Sequence, residues 1–102
     1  MTSSKATAYA TADDLDLTMQ VWKEGPTYVA YAPELDLSSC GRTVNQAKAH
    51  LREAVTLFLE EAAKRGTLAD ILAECGFERR GRNLRPPRII EREKLRIALP
   101  AA

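Results

Sequence analysis

Apolar and polar residues alternate from Leu15 to Trp22, with Leu15, Leu17, Met19 and Val21 set against Asp16, Thr18, Gln20 and Trp22. A period of two sends successive side chains to opposite faces, so this run predicts a strand with one buried face. Lys23-Glu24-Gly25-Pro26 follows with turn chemistry, because Gly accepts a positive φ and Pro presets its own. The next run, from Thr27 to Ala32, is aromatic and β-branched and predicts an antiparallel return as a hairpin. Pro33 has no N–H for a ladder and ends that strand; residues 34–36 make a short connection to a third strand at 37–42.

The period then changes to that of a helix. Val44, Ala47, Leu51, Ala54, Val55, Phe58 and Ala62 recur at i, i+3 and i+4 and form one apolar stripe, predicted to lie on the sheet. Thr43 suits the N-cap, and Gln46 three residues later completes a capping box. Lys64 and Arg65 oppose the negative end of the helix dipole, and Gly66 provides a left-handed stop. A second, shorter helix opens at Thr67, carries Leu68, Ile71, Leu72 and Cys75 on one side, and ends at Gly76 with Phe77 folding back.

Residues 78–83, Glu-Arg-Arg-Gly-Arg-Asn, read as a charged turn, and Pro86-Pro87 as an extended spacer. Beyond them Leu95, Ile97 and Leu99 alternate with Lys94, Arg96 and Ala98, which predicts a closing strand within 89–99; Glu91 and Glu93 interrupt its apolar face. The expected fold is therefore α+β, in the order β-β-β-α-α-β, an antiparallel hairpin sheet with one long helix on one face. The closing strand is expected to reach the edge beside the first strand through the helical crossover. The opposite sheet face, with Thr18, Gln20 and Trp22, is expected to stay open. Residues 1–13 lack an apolar period and read as a disordered leader, 14–99 as one domain and 100–102 as a tail.

Composition adds limits. The 102 residues suit a single domain, and 45% apolar with 28% charged is ordinary for a globular chain. The net charge of +1 is uninformative, but its distribution is not. Residues 1–77 hold 7 Lys/Arg against 11 Asp/Glu, and residues 78–102 hold 8 against 3. An acidic body followed by a basic segment can mark two contact surfaces, or simply keep the surface solvated. Cys40 and Cys75 have no CxxC or Cys/His setting, no secretion signal is evident and no run suits a membrane span; a cytoplasmic location is the expectation.

The stretch YVAYAPELDL, then CGRT, then VNQAKAHLREAVTLFLE resembles the HicB family of antitoxins from bacterial toxin–antitoxin systems. The resemblance is carried by Pro33-Glu34-Leu35, Gly41-Arg42-Thr43 and Leu59-Glu60, and extends over about residues 14–99. It implies a partial ribonuclease-H-like fold without the catalytic carboxylates, neutralisation of a small basic HicA-type RNA-cleaving toxin, and self-association into a dimer or higher homo-oligomer. The chain departs from the family in two places. Asp36-Leu37-Ser38 replaces the familiar Pro-Gly-Cys, and the roughly 25 residues after Phe77 are too few for a helix-turn-helix beyond the closing strand, so the resemblance leaves DNA as a possible partner without implying repression of the chain's own operon.

No sequence motif points to catalysis or to a cofactor: there is no phosphate loop, no HExxH and no Cys/His metal spacing. His50, the single histidine, falls at the boundary of the helical stripe. A two-metal nuclease site would need converging carboxylates, and Asp14, Asp16, Glu53, Glu91 and Glu93 are scattered by their periods. Trp22, Tyr28, Tyr31, Glu34 and Asp36 are the candidate partner-binding residues, as aromatic anchors and acidic loop charges. Arg79, Arg80, Arg82 and Arg85 are the candidates for phosphate contact if the chain binds nucleic acid instead. An orphan dimeric module is the third reading.

Overall fold

The computed structural model describes residues 12–101. The chain is mixed α+β: β1 (Asp14–Leu15), β2 (Gln20–Glu24), β3 (Thr27–Ala32), β4 (Leu37–Gly41), α1 (Val44–Arg65), α2 (Leu68–Glu74), β5 (Glu78–Arg80) and β6 (Asn83–Arg85). They form two small sheets, β2-β3-β4 and β1-β6-β5. Most of the expected leader lies outside the described residues. Its last two residues are held: Ala12 packs against the core, and the Asp13 N–H donates to the Arg82 carbonyl at 2.7 Å.

The alternating run expected as one strand is two. β1 pairs parallel with β6, Asp14 opposite Asn83 and Leu15 opposite Leu84, while β2 pairs antiparallel with β3, Val21 opposite Ala30. A chain that changes its ladder partner from one side to the other leaves a stretch with neither. The Asp16 N–H still donates to the Leu84 carbonyl of β6 at 2.8 Å; residues 17–19 are that stretch, and there the Thr18 N–H donates to the Glu34 carboxylate at 3.0 Å in place of a carbonyl.

The connection from β4 back to the first strand runs as the sequence implies, but its endpoint differs. The strand beside the first one is Asn83–Arg85, not the 89–99 segment. The charged turn expected at 78–83 is itself a hairpin, with Arg80 opposite Asn83 and Gly81-Arg82 at its tip. Gly81 has φ of 63° and Arg82 a negative φ, the pattern of a type II′ turn; Gly25-Pro26 joins β2 to β3 in the same way, with Gly25 at 57°. Residues 86–101 adopt no regular structure, which corrects the expected closing strand.

α1 is fastened at both ends as its residues dictate. The Gln46 N–H donates to Thr43 Oγ1 at 3.0 Å, and Gln46 Oε1 accepts from the Arg42 N–H at 2.6 Å. Gly66 sits at φ 76°, with its N–H on the Ala63 carbonyl and that of Thr67 on Ala62. α2 stops with the same crossed pair, Gly76 to Ala73 and Phe77 to Leu72, and Phe77 folds onto Leu72 in the core.

Two apolar clusters follow. The first joins Ala30 and Ala32 of β3 to Ala47 and Leu51 of α1, flanked by Val21, Tyr28, Leu37 and Val55. Three of its four buried members are alanines, so helix and sheet lie close; a Cβ on Gly41 would come within 2.7 Å of the Ala47 nitrogen. Val44, expected in the stripe, is exposed at the helix start. The second cluster gathers Leu72, Phe77 and Leu84 with Leu15, Leu17, Leu35 and Leu68. α1 lies over β4 and β3 and barely touches β2.

Candidate functional site

Register decides which candidates share a face. Gln20, Tyr31 and Ser38 lie side by side across β2, β3 and β4, as do Trp22, Val29 and Cys40. Ala30, Ala32 and Tyr28 alternate to the other face, under α1, where Tyr28 packs against the first cluster. The helix-free face therefore presents Trp22 and Tyr31 together, and Tyr28 is separated from them.

Trp22 and Tyr31 form an edge-to-face pair, with ring centroids 5.9 Å apart and planes at 69°. Each polar tip is taken by a carboxylate on the same side. Trp22 Nε1–H donates to Glu24 at 2.9 Å, and the Tyr31 hydroxyl donates to Asp36 Oδ1 at 2.8 Å. The bond to Asp36, followed by burial and by the charge of that carboxylate, raises the Tyr31 pKa. Asp36 holds a positive φ of 54° at the end of the turn from β3 to β4, which an aspartate tolerates better than most residues. That geometry brings its carboxylate round to the aromatic face. Trp22 remains 40% exposed, so the pair is an ordered, accessible patch with two acceptors at its edges.

Glu34 has a different task. Its carboxylate accepts from both the backbone N–H and the hydroxyl of Thr18, tying the β3–β4 turn to the unpaired stretch before β2. Of the five partner-binding candidates, the fold thus unites Trp22, Tyr31 and Asp36, adds Glu24, and assigns Tyr28 and Glu34 to packing and bracing. Glu24 was available to sequence reasoning, since positions 22 and 24 of one strand share a face.

The four arginine candidates lie on the β5–β6 hairpin, and three of them are already engaged. Arg82 pairs with Asp13 at 2.6 Å, Arg85 with Asp16 at 3.6 Å, and Arg79 Nε donates to the Gly81 carbonyl at 2.8 Å. Arg80, Arg85 and Arg88 border a recess of about 350 Å³, together with the acidic Asp16 and Glu78. The surface is therefore of mixed charge, and the two ion pairs latch the hairpin to the first strand.

A larger groove, of about 460 Å³, lies between the first strand region and α1. Leu15, Leu17, Met19, Leu51, Val55 and Leu59 supply its apolar walls, and Asp13, Asp14 and Arg52 belong to its polar lining. Nothing in the periodicity announced it, because it exists only where the first strand bends between its two sheets.

His50 is exposed, and its Nδ1–H donates to the Cys40 carbonyl at 2.7 Å, joining α1 to β4. Cys40 is exposed rather than packed, and Cys75 is half-buried, its thiol pKa raised by burial and then by Glu74. Among the described residues no group of three or more His, Cys, Asp or Glu side chains is placed to hold a metal ion, and no helix is long and apolar enough to cross a membrane. Compared with known proteins, the chain matches no family model, no curated protein and no solved structure.

Proposed function

We propose that this chain is a HicB-like antitoxin, a binding protein that neutralises a small basic HicA-type RNA-cleaving toxin by direct contact and catalyses no reaction of its own. The observation that carries the reading is the helix-free sheet face, on which Trp22 and Tyr31 stand edge to face with Glu24 and Asp36 on their polar tips. Rigid aromatic anchors ringed by carboxylates suit a cationic partner. The rings give area and cation–π contact, and the remaining carboxylate lone pairs accept from Arg or Lys.

The topology supports the same reading. Three antiparallel strands beneath a long helix, with a strand returning in parallel beside β1 in a second small sheet, resemble the parts of a partial ribonuclease-H-like fold divided between two sheets. The competing reading, nucleic-acid binding through Arg79, Arg80, Arg82 and Arg85, is weakened by the ion pairs that already occupy Arg82 and Arg85.

Co-expression with the adjacent small reading frame tests the proposal. The expected result is co-purification with a small basic protein whose RNA cleavage is suppressed. A Trp22→Ala, Tyr31→Ala double variant should weaken capture by roughly 30-fold or more, the loss of about 2 kcal/mol typical of a central anchor. An adjacent frame that encodes no basic protein, or capture untouched by the double variant, would remove the reading.

A further inference from the structure

We propose that residues 94–99 of one copy add as an antiparallel strand to the free edge of β2 in a second copy, so that two chains exchange their C-terminal segments. The proposal needs no toxin, but it draws on Trp22 and Glu24, so the arm and a toxin seated on that face would compete for them.

Two unsatisfied surfaces lead to it. The first is the segment itself. Leu95, Ile97 and Leu99 alternate with Lys94, Arg96 and Ala98, yet Leu95 is 83%, Ile97 68% and Leu99 89% exposed, and their backbone joins no ladder. An amphipathic strand without a sheet has neither a covered apolar face nor partnered N–H and C=O groups. The molecule's radius of gyration, 16.6 Å against roughly 13 Å for a compact chain of this length, agrees with a projecting arm.

The second surface is β2. Among the described residues it is an edge strand, paired on one side only with β3. Its five residues would take 94–98 of the six-residue arm, and α1, displaced towards β4, leaves its helix-facing side thinly covered. Lys23 guards only the hairpin end, its ammonium 5.6 Å from the Tyr28 ring centroid.

One register satisfies both faces. With Ile97 opposite Val21, Leu99 falls opposite Met19 and Leu95 opposite the aliphatic stem of Lys23, and the apolar side of the arm covers the thin side of β2 beside the groove walled by Met19, Val55 and Leu59. On the other face the same register sets Arg96 beside Trp22 and Lys94 beside Glu24, a cation over an indole and an opposite-charge cross-strand pair. Pairing the arm with its own copy about Leu95 would instead set Lys94 opposite Arg96, two like charges. The arm lies away from its own body here, and a reciprocal exchange closes as a two-fold dimer.

The test uses the full chain. Light scattering should give twice the 11.3 kDa chain mass, and Ile97→Lys, a change at an already exposed position, should return it to the single mass. Glu24→Lys should raise the dimer dissociation constant about tenfold, since a reciprocal dimer carries that pair twice, and adding Lys94→Glu should restore it. In a Cys40→Ser, Cys75→Ser background, mixing chains that carry Gln20→Cys with chains that carry Ala98→Cys should give a disulfide between them. A chain monomeric at all concentrations overturns the proposal. So does a dimer indifferent to Ile97→Lys, a disulfide formed only between two chains that both carry Ala98→Cys, or one formed only within a single chain carrying both substitutions.

Discussion

Leu51 is the test of how the long helix meets the sheet. It is 2% exposed, and the other buried members of its cluster are Ala30, Ala32 and Ala47, so it is the large side chain around which that cluster closes. Replacing a buried Leu by Ala costs about 2–5 kcal/mol, the spread being set by the void left behind. Here the structure chooses within that range. Leu51 also lines the groove beside the first strand, so the space it vacates merges with an opening that water can enter. A void that fills with water or collapses into a groove is cheaper than a sealed one. Leu51→Ala should therefore cost about 2–3 kcal/mol, a large fraction of the roughly 5–10 kcal/mol expected for a domain of this size. Urea unfolding followed by circular dichroism at fixed protein concentration would read it as a lower midpoint with an unchanged slope. The melting temperature should fall by roughly 10–20 °C. Leu57→Ala, at a position 64% exposed on the same helix, should stay within about 0.5 kcal/mol of the parent. A Leu51→Ala loss below about 1 kcal/mol would refute the helix seating, and a loss above about 4 kcal/mol would refute the open groove.

Two further outcomes follow from the titrating groups. Tyr31 donates to Asp36, which raises its pKa, so the protonated hydroxyl is the favoured form; this contribution is present at neutral pH and lost as pH rises through the Tyr31 pKa. A tyrosinate absorbance titration should show Tyr31 titrating late and moving back towards the ordinary value in Asp36→Asn, and identical curves for the two proteins would contradict the bond. Cys40 is exposed while burial, then Glu74, pushes the half-buried Cys75 thiol up, so a thiol reagent at neutral pH should react in two phases with Cys40 first. Survival of the fast phase in Cys40→Ser would reverse that order.

The elements that could be read from the chain were those whose signals are local. Thr43 with Gln46, Gly66 with Lys64 and Arg65, and Gly76 with Phe77 each act within a few residues, and each is found at its expected helix end. The β5–β6 hairpin used equally local grammar, a Gly at the first central position of a two-residue turn, just as Gly25 does between β2 and β3. It was hidden because its flanks are arginines, and only Leu84 of its six strand residues is buried. Side-chain pattern therefore said loop where turn geometry said hairpin. At the candidate site the same division holds. Alternation places Trp22 on the open face, but separating Tyr28 from Tyr31 required the phase of β3, which Ala30 and Ala32 set by fitting under the helix. Glu34 and Asp36, two residues apart in one turn, received opposite tasks from the backbone: Glu34 reaches back to Thr18, while Asp36 swings to Tyr31.

The two places where periodicity misled share one cause. Alternation reports that a segment has two unlike faces; it does not report which neighbour satisfies its backbone, or whether that neighbour belongs to the same chain. From Leu15 to Trp22 one alternating run serves two sheets, and the bend between them is held by a glutamate carboxylate rather than a ladder. From 94 to 99 an equally regular run joins no sheet among the described residues, because β6 already occupies the place beside β1. A strand pattern displaced from its expected edge by a shorter strand upstream remains a strand pattern. Its apolar side chains and free amides still favour pairing, and the long unpaired edge of β2 carries the matching faces. The proposed exchange of strands between two chains would rest on the same physical rule that folds each one: a pleated ribbon with one apolar face is stable only beside another.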